Sequence, residues 1–93
     1  MKIDGMDVCL EVSKYVSNDN LAINVVTLDG ELYASLTVNV LKMPSPYALV
    51  DTNNFPNAEE FIKKYKLGEA TGEKAASGFC KYPMYKFDLE ALN

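Results

Sequence analysis

Leu21-Ala22-Ile23-Asn24-Val25-Val26-Thr27-Leu28-Asp29-Gly30-Glu31-Leu32-Tyr33-Ala34-Ser35-Leu36-Thr37-Val38-Asn39-Val40 is the stretch that decides the fold. Two β-rich runs flank Asp29-Gly30, a dipeptide suited to a type I′ hairpin because that turn needs positive φ at both central residues. In the first run Leu21, Ile23 and Val25 share a face with Thr27. In the second, Leu32, Ala34, Leu36, Val38 and Val40 line one face, with Tyr33, Ser35, Thr37 and Asn39 on the other. Period-2 alternation of this kind describes half-buried antiparallel strands, here over Leu21–Leu28 and Glu31–Val40.

Upstream, Asp7 to Val16 alternates too, with Val8, Leu10 and Val12 opposite Glu11 and Ser13. Ser17-Asn18-Asp19-Asn20 follows, a run of residues that tolerate left-handed backbone and bond their own main chain in turns. The first 40 residues therefore predict a three-stranded meander, with Met1–Gly5 as a leader or strand edge. Downstream, Pro44 and Pro46 end the pattern, since proline cannot donate to a sheet ladder. Tyr47–Val50 is a short candidate strand, and Asp51-Thr52-Asn53-Asn54 a polar loop.

The period changes next. Ala58, Phe61, Ile62 and Tyr65 recur at helical spacing and predict a helix over about Pro56–Leu67. Its start is either Pro56 as first helical residue or Asn57 with Glu60 as a capping box. Glu59–Lys63 and Glu60–Lys64 have the spacing of i,i+4 ion pairs, and Gly68 that of a C-terminal stop. Residues 69–78 read as a small-residue loop. Phe79–Phe87 reads as the last strand, which Pro83 directs to a sheet edge or a bulge. The tail, Asp88–Asn93, suggests a helical turn. The expectation is one α+β domain over residues 1–93: an antiparallel sheet of four to five strands with one helix, in the order βββ(β)αβ.

Composition narrows the function. The 93 residues carry 13 acidic side chains against nine basic ones, for a net charge of −4, and every basic residue is Lys. The sign opposes a phosphate backbone, and the bidentate Arg fork is missing, so nucleic acid is a poor partner. The imbalance lies in residues 1–40, which hold two Lys and six acidic residues; residues 41–93 hold seven of each. With no His, the commonest general base and transition-metal ligand is absent. No metal or cofactor motif stands out. No signal peptide and no apolar run of membrane-spanning length is apparent, so the cytoplasm is the expected compartment and both cysteines are expected as thiols.

Few residues remain that could carry chemistry. Cys80, beside Lys81, reads first as a small buried apolar residue and second as a nucleophile at a small-molecule or cysteine-dependent site with Asp51 and tyrosines. Cys9 reads as buried. Thr71-Gly72-Glu73-Lys74 with Ser77-Gly78 lacks phosphate-loop spacing and the strand-before-helix order. Asp51, Asn53 and Asn54 form the one polar cluster not fully explained by a turn. Phe79, Tyr82, Tyr85 and Phe87 suggest core packing, an exposed-tyrosine protein contact, or a stacking platform for single-stranded nucleic acid. The candidate binding residues are thus Asp51, Asn53, Asn54, Cys80, Tyr82 and Tyr85, with a protein as the expected partner.

Residues 51–61, Leu67-Gly68-Glu69-Ala70-Thr71-Gly72 and Ser77-Gly78-Phe79-Cys80-Lys81-Tyr82-Pro83-Met84-Tyr85-Lys86-Phe87, together with Asn20–Ile23, Asp29–Glu31 and Tyr33–Asn39, give the chain a recognisable text. It resembles the small domain-of-unknown-function proteins carried by conjugative elements and phages of anaerobic gut bacteria. The resemblance covers nearly the whole chain and brings no chemistry with it. What it implies is a role asked of mobile-element proteins: blocking a host defence protein, or assisting transfer.

Overall fold

The structure is a computed structural model that describes residues 1–92. Eight strands and one helix run in the order β1 (Lys2–Ile3), β2 (Met6–Lys14), β3 (Leu21–Thr27), β4 (Leu32–Ser35), β5 (Thr37–Val38), β6 (Tyr47–Val50), α1 (Ala58–Lys64), β7 (Gly68–Ser77) and β8 (Cys80–Phe87). They form two four-stranded sheets, β1-β2-β3-β4 and β5-β6-β8-β7, every pair antiparallel. The α+β class holds. The expectation of one sheet of four to five strands does not, for two reasons that lie in the middle and the last third of the chain.

The first reason is that the expected strand Glu31–Val40 is two strands. Tyr33 is an extra residue in the β3–β4 ladder, where Val26 faces Leu32 but Val25 faces Ala34. An inserted residue bends its strand and reverses the facing of what lies beyond it. Leu36 then leaves the first sheet and Thr37–Val38 joins the second. The predicted apolar stripe is divided accordingly. Leu32 is exposed, Ala34 and Leu36 pack in the main core, and Val38 and Val40 pack in a smaller cluster.

The second reason is that residues 69–78 are no loop. All but Gly78 belong to β7, which pairs along β8 through a two-residue Gly78-Phe79 turn. Gly78 has φ 61, as the first central position of a type II′ turn requires. Small residues give little strand signal of their own, so the pairing is decided by β8. Three residues of β7, Thr71–Glu73, stand opposite Met84 alone, with Gly72 at φ 89. Pro83 sits beside that bulge, facing Lys74, just past the end of the β6 pairing at Leu49–Met84. The expected bulge is there. The alternative edge placement is not, since β8 lies between β6 and β7.

Local signals moved as well. Asp29-Gly30 does turn the chain, but only Gly30 has positive φ (85°) and Thr27 N–H donates to Glu31 O, so it is not a type I′ turn. Asp4-Gly5, with φ 50 and 78 at both central positions, has that geometry and joins β1 to β2. Helix α1 is shorter than expected, and Asn57 holds the N-cap position without a side-chain capping bond. The left-handed residue after the helix is Lys66 (φ 53); Leu67 N–H donates to Ile62 O and Lys66 N–H to Lys63 O, a Schellman ending without glycine. Gly68 serves the sheet instead. A Cβ there would stand 2.7 Å from Lys86 O and 2.9 Å from Phe87 Cα.

One core takes residues from both sheets and the helix: Val8, Leu21, Ile23 and Val25, then Leu36, Ala48 and Val50, then Phe55, Ala58, Phe61 and Ile62, then Tyr85 and Phe87. The helical stripe read from the sequence is buried as expected, with Tyr65 half-buried at its end. The second cluster, Met43, Leu49 and Tyr82 with Cys80 and Met84 against it, lies on the other face of β8. No helix among the described residues is long and apolar enough to cross a membrane. The tail turns over residues 88–92, buries Leu92, and its expected continuation to Asn93 lies outside the described residues.

Candidate functional site

The sequence-derived site residues fall into three places. Asp51 is buried, and its carboxylate is occupied by its own loop: Asn54 N–H donates to Oδ1 (3.2 Å) and Asn54 Nδ2 to Oδ2 (3.0 Å). Its main chain ties the loop to the crossover, with Asp51 N–H donating to Leu36 O and Phe55 N–H to Asp51 O. A carboxylate bonded to a backbone N–H three residues on is a turn device. Asn53 is exposed beside it.

Cys80 and Tyr82 lie together on the second-cluster face of β8. The Tyr82 phenol is raised from its ordinary value, first by its hydrogen bond with Cys80, then by burial and by the neighbouring Cys80 and Asp51. Cys80 is half-buried and Cys9, expected inside, is exposed; both are free thiols. Cys9 belongs to the face of β2 that carries Glu11 and Ser13, opposite Val8 and Leu10, so the alternation that buries Val8 turns Cys9 outward.

Tyr85 is on the opposite face of β8 and also buried. The expected patch of exposed tyrosines is therefore absent: Tyr82, Tyr85 and Phe87 are all inside, and only Phe79, at the tip of the β7–β8 turn, is fully exposed. β8 is an interior strand with a packed layer on each face, so its aromatics have no open face to offer. A stacking platform needs such a face.

Tyr85 marks a different feature. Its phenol donates to Glu59 Oε1 at 2.8 Å, across from β8 to α1. Burial first, then that hydrogen bond and the carboxylate charge, push its pKa up to about 12. Between α1 and the Gly68 end of the β7–β8 ladder lies an open groove of about 1030 Å³. Pro46, Ala70, Tyr85, Phe87 and Leu89 supply apolar lining; Glu59, Glu60, Lys63, Lys66, Glu69, Lys86 and Asp88 supply charge of both signs. Gly68 helps to shape it, because a side chain there would strike β8.

Sequence reading missed this groove. The helical charges do not form the i,i+4 pairs that their spacing suggests: among the described residues the one ion pair is Lys2–Asp7. Glu69 and Ala70 belong to a stretch whose small residues suggest a loop. The legible signal was that Tyr85 and Phe87 share a strand face, as Phe61 and Ile62 share a helix face, so the two elements had to meet.

The groove has the size and the mixture of apolar and polar groups of a binding site. It holds no thiol. Among the described residues no three Cys, Asp or Glu side chains gather as a metal set. What the arrangement can do is seat an apolar segment against Pro46, Ala70 and Leu89 and orient it by the charges around them.

A family model described as a domain of unknown function (DUF4313) matches residues 9–93. No curated protein and no solved structure matches the chain.

Proposed function

The chain belongs to this domain-of-unknown-function family, and from that premise we propose that it is a non-enzymatic protein-binding module acting in the cytoplasm. The observation that carries the reading is the groove between α1 and the β7–β8 ladder, lined by apolar side chains and by charges of both signs. Interfaces are built in that pattern, a desolvated centre within a polar rim. The resemblance to proteins of conjugative elements and phages supports a role against a host defence protein, or in transfer. The acidic balance of residues 1–40 supports a partner with a basic surface.

The test is site-specific photocrosslinking in a bacterial host. A crosslinking residue at Glu60 or Lys66 is expected to capture one protein, and the same residue at Asn53 not to capture it. Lys63→Glu with Lys66→Glu is expected to weaken that capture. If no groove position captures a protein that Asn53 does not, the reading fails.

A further inference from the structure

Each sheet has two lateral edges, and three of the four carry a device that discourages pairing with another chain. β4 is four residues long and bulged at Tyr33. β5 has two residues. β7 is long, but its bulge at Thr71–Glu73 interrupts it and Lys74 follows. Short strands, bulges and lysines are the usual protections of an edge. The remaining edge belongs to β2. Strand β1 covers it only at Met6 and Asp7, with Val8 N–H donating to Met1 O beyond them. From Cys9 to Lys14 its register with β3 is unbroken, and that run contains no proline, no glycine and no lysine before Lys14 at its end.

The direction of the free backbone groups follows from the same bonds. Main-chain groups of an antiparallel strand alternate between its two sides. Val8 points to the β1 side and Tyr15 N–H donates to Asn20 O on the β3 side. Leu10, Val12 and Lys14 therefore present their N–H and C=O groups outward along the open edge. The side chains beside that edge are sorted by face. Leu10 is half-buried and Val12 is 40% exposed on the core side; Cys9, Glu11 and Ser13 are exposed on the other. The sheet to which β2 belongs lies within residues 1–40, the part of the chain with two Lys against six acidic residues.

We propose that the open edge of β2 binds an extended segment of a partner protein as an added antiparallel strand, one whose residues alternate between apolar side chains and Lys or Arg. Backbone bonds to Leu10, Val12 and Lys14 supply the pairing; apolar residues cover Val12 and Leu10, and a cation stands beside Glu11. A second copy of this chain fits less well. Two-fold pairing centred on Glu11 sets that carboxylate opposite itself, and any register brings two acidic sheets edge to edge. This surface is separate from the α1 groove, and either can fail without the other.

The test uses the full chain, isotope-labelled, titrated with a short end-capped peptide of alternating Lys and Val. Saturable shifts and slowed amide exchange are expected at Leu10, Val12 and Lys14. Glu11→Lys is expected to weaken binding about tenfold, as reversal of a cross-strand charge pair at a partly exposed edge would. Val12→Pro removes an outward donor while leaving the ladder to β3, and should abolish binding; Val12→Lys should do the same with an unaltered backbone. Asn53→Ala, exposed and outside both surfaces, should change nothing. Equal binding of a Glu–Val peptide, shifts centred on the groove, no response at β2, or peptide-free dimerisation blocked by Val12→Pro would each overturn the proposal.

Discussion

The two faces of β8 differ in what stands across from them. Tyr85 and Phe87 look into a core closed by the first sheet and by α1. Tyr82, Met84 and Cys80 look into a smaller cluster with Met43, Leu49, Val38 and Val40, none of them from the first sheet or the helix. One strand thus serves two layers of unequal depth. A cavity costs more where independent elements hold its walls in place than where a single sheet can relax around it. Burial alone does not reveal this: Tyr82 and Tyr85 are nearly equal in exposure, at 8% and 7%.

Removing one ring from each side of β8 separates the two layers most directly. Phe87→Ala should destabilise by about 3–5 kcal/mol, the usual range for a fully buried Phe. Tyr82→Ala should cost about 2 kcal/mol, since its small cluster can close in. Urea unfolding monitored by circular dichroism measures both, and equal losses would mean that the two layers are equally rigid. Next in size is Gly68→Ala, at about 1–3 kcal/mol, because its new methyl meets β8 backbone and not a movable side chain. Gly78→Ala meets open space and should cost only about 1 kcal/mol, from its positive φ.

A third test uses pH. Tyr85 titrates near 12 in the folded chain, against the ordinary value of 10.0. A folded-state pKa above the unfolded one means that folding favours the protonated phenol. Its contribution is complete below pH 10 and is lost as pH rises toward 12. Tyr85→Phe should flatten the pH dependence of stability in that window, and the ultraviolet absorbance of ionising tyrosine should lose its latest component. Glu59→Gln, which removes the neighbouring charge, should move that component down. The smallest effect concerns the thiols. Exposed Cys9 should react with iodoacetamide faster than half-buried Cys80, as peptide mass mapping would show.

The same contrast explains what was legible in the sequence. β2, β3, β6 and α1 could be read because their apolar residues keep one period against one neighbour, as Leu21, Ile23 and Val25 do. β8 was located, but its facing was not, because a strand packed on both sides loses its polar face. β7 was invisible: Gly-Glu-Ala-Thr-Gly-Glu-Lys-Ala-Ala-Ser is strand only by virtue of its partner. The split at Leu36 was hidden by unbroken alternation, since nothing in the text marks Tyr33 as an extra residue. The groove fell to the same cause. It lies between a helix that could be read and a ladder whose β7 strand could not, so of its lining only the aromatics Tyr85 and Phe87 stand out in the sequence, for an open face that β8 does not have.

The crossover at Leu36 has a consequence for folding order. Leu36 N–H donates to Ile23 O in one sheet, and its carbonyl accepts from Asp51 N–H beside the other. The first sheet is made of hairpins between neighbouring segments, whereas the second must bring residues 37–50 to residues 80–87 across the helix. Chain closure over longer separations is slower. The first sheet should therefore acquire amide protection early in refolding and the β6–β8 junction of the second late. The Asp51 amide, whose acceptor is the Leu36 carbonyl, would report the moment at which the two sheets become one cooperative unit.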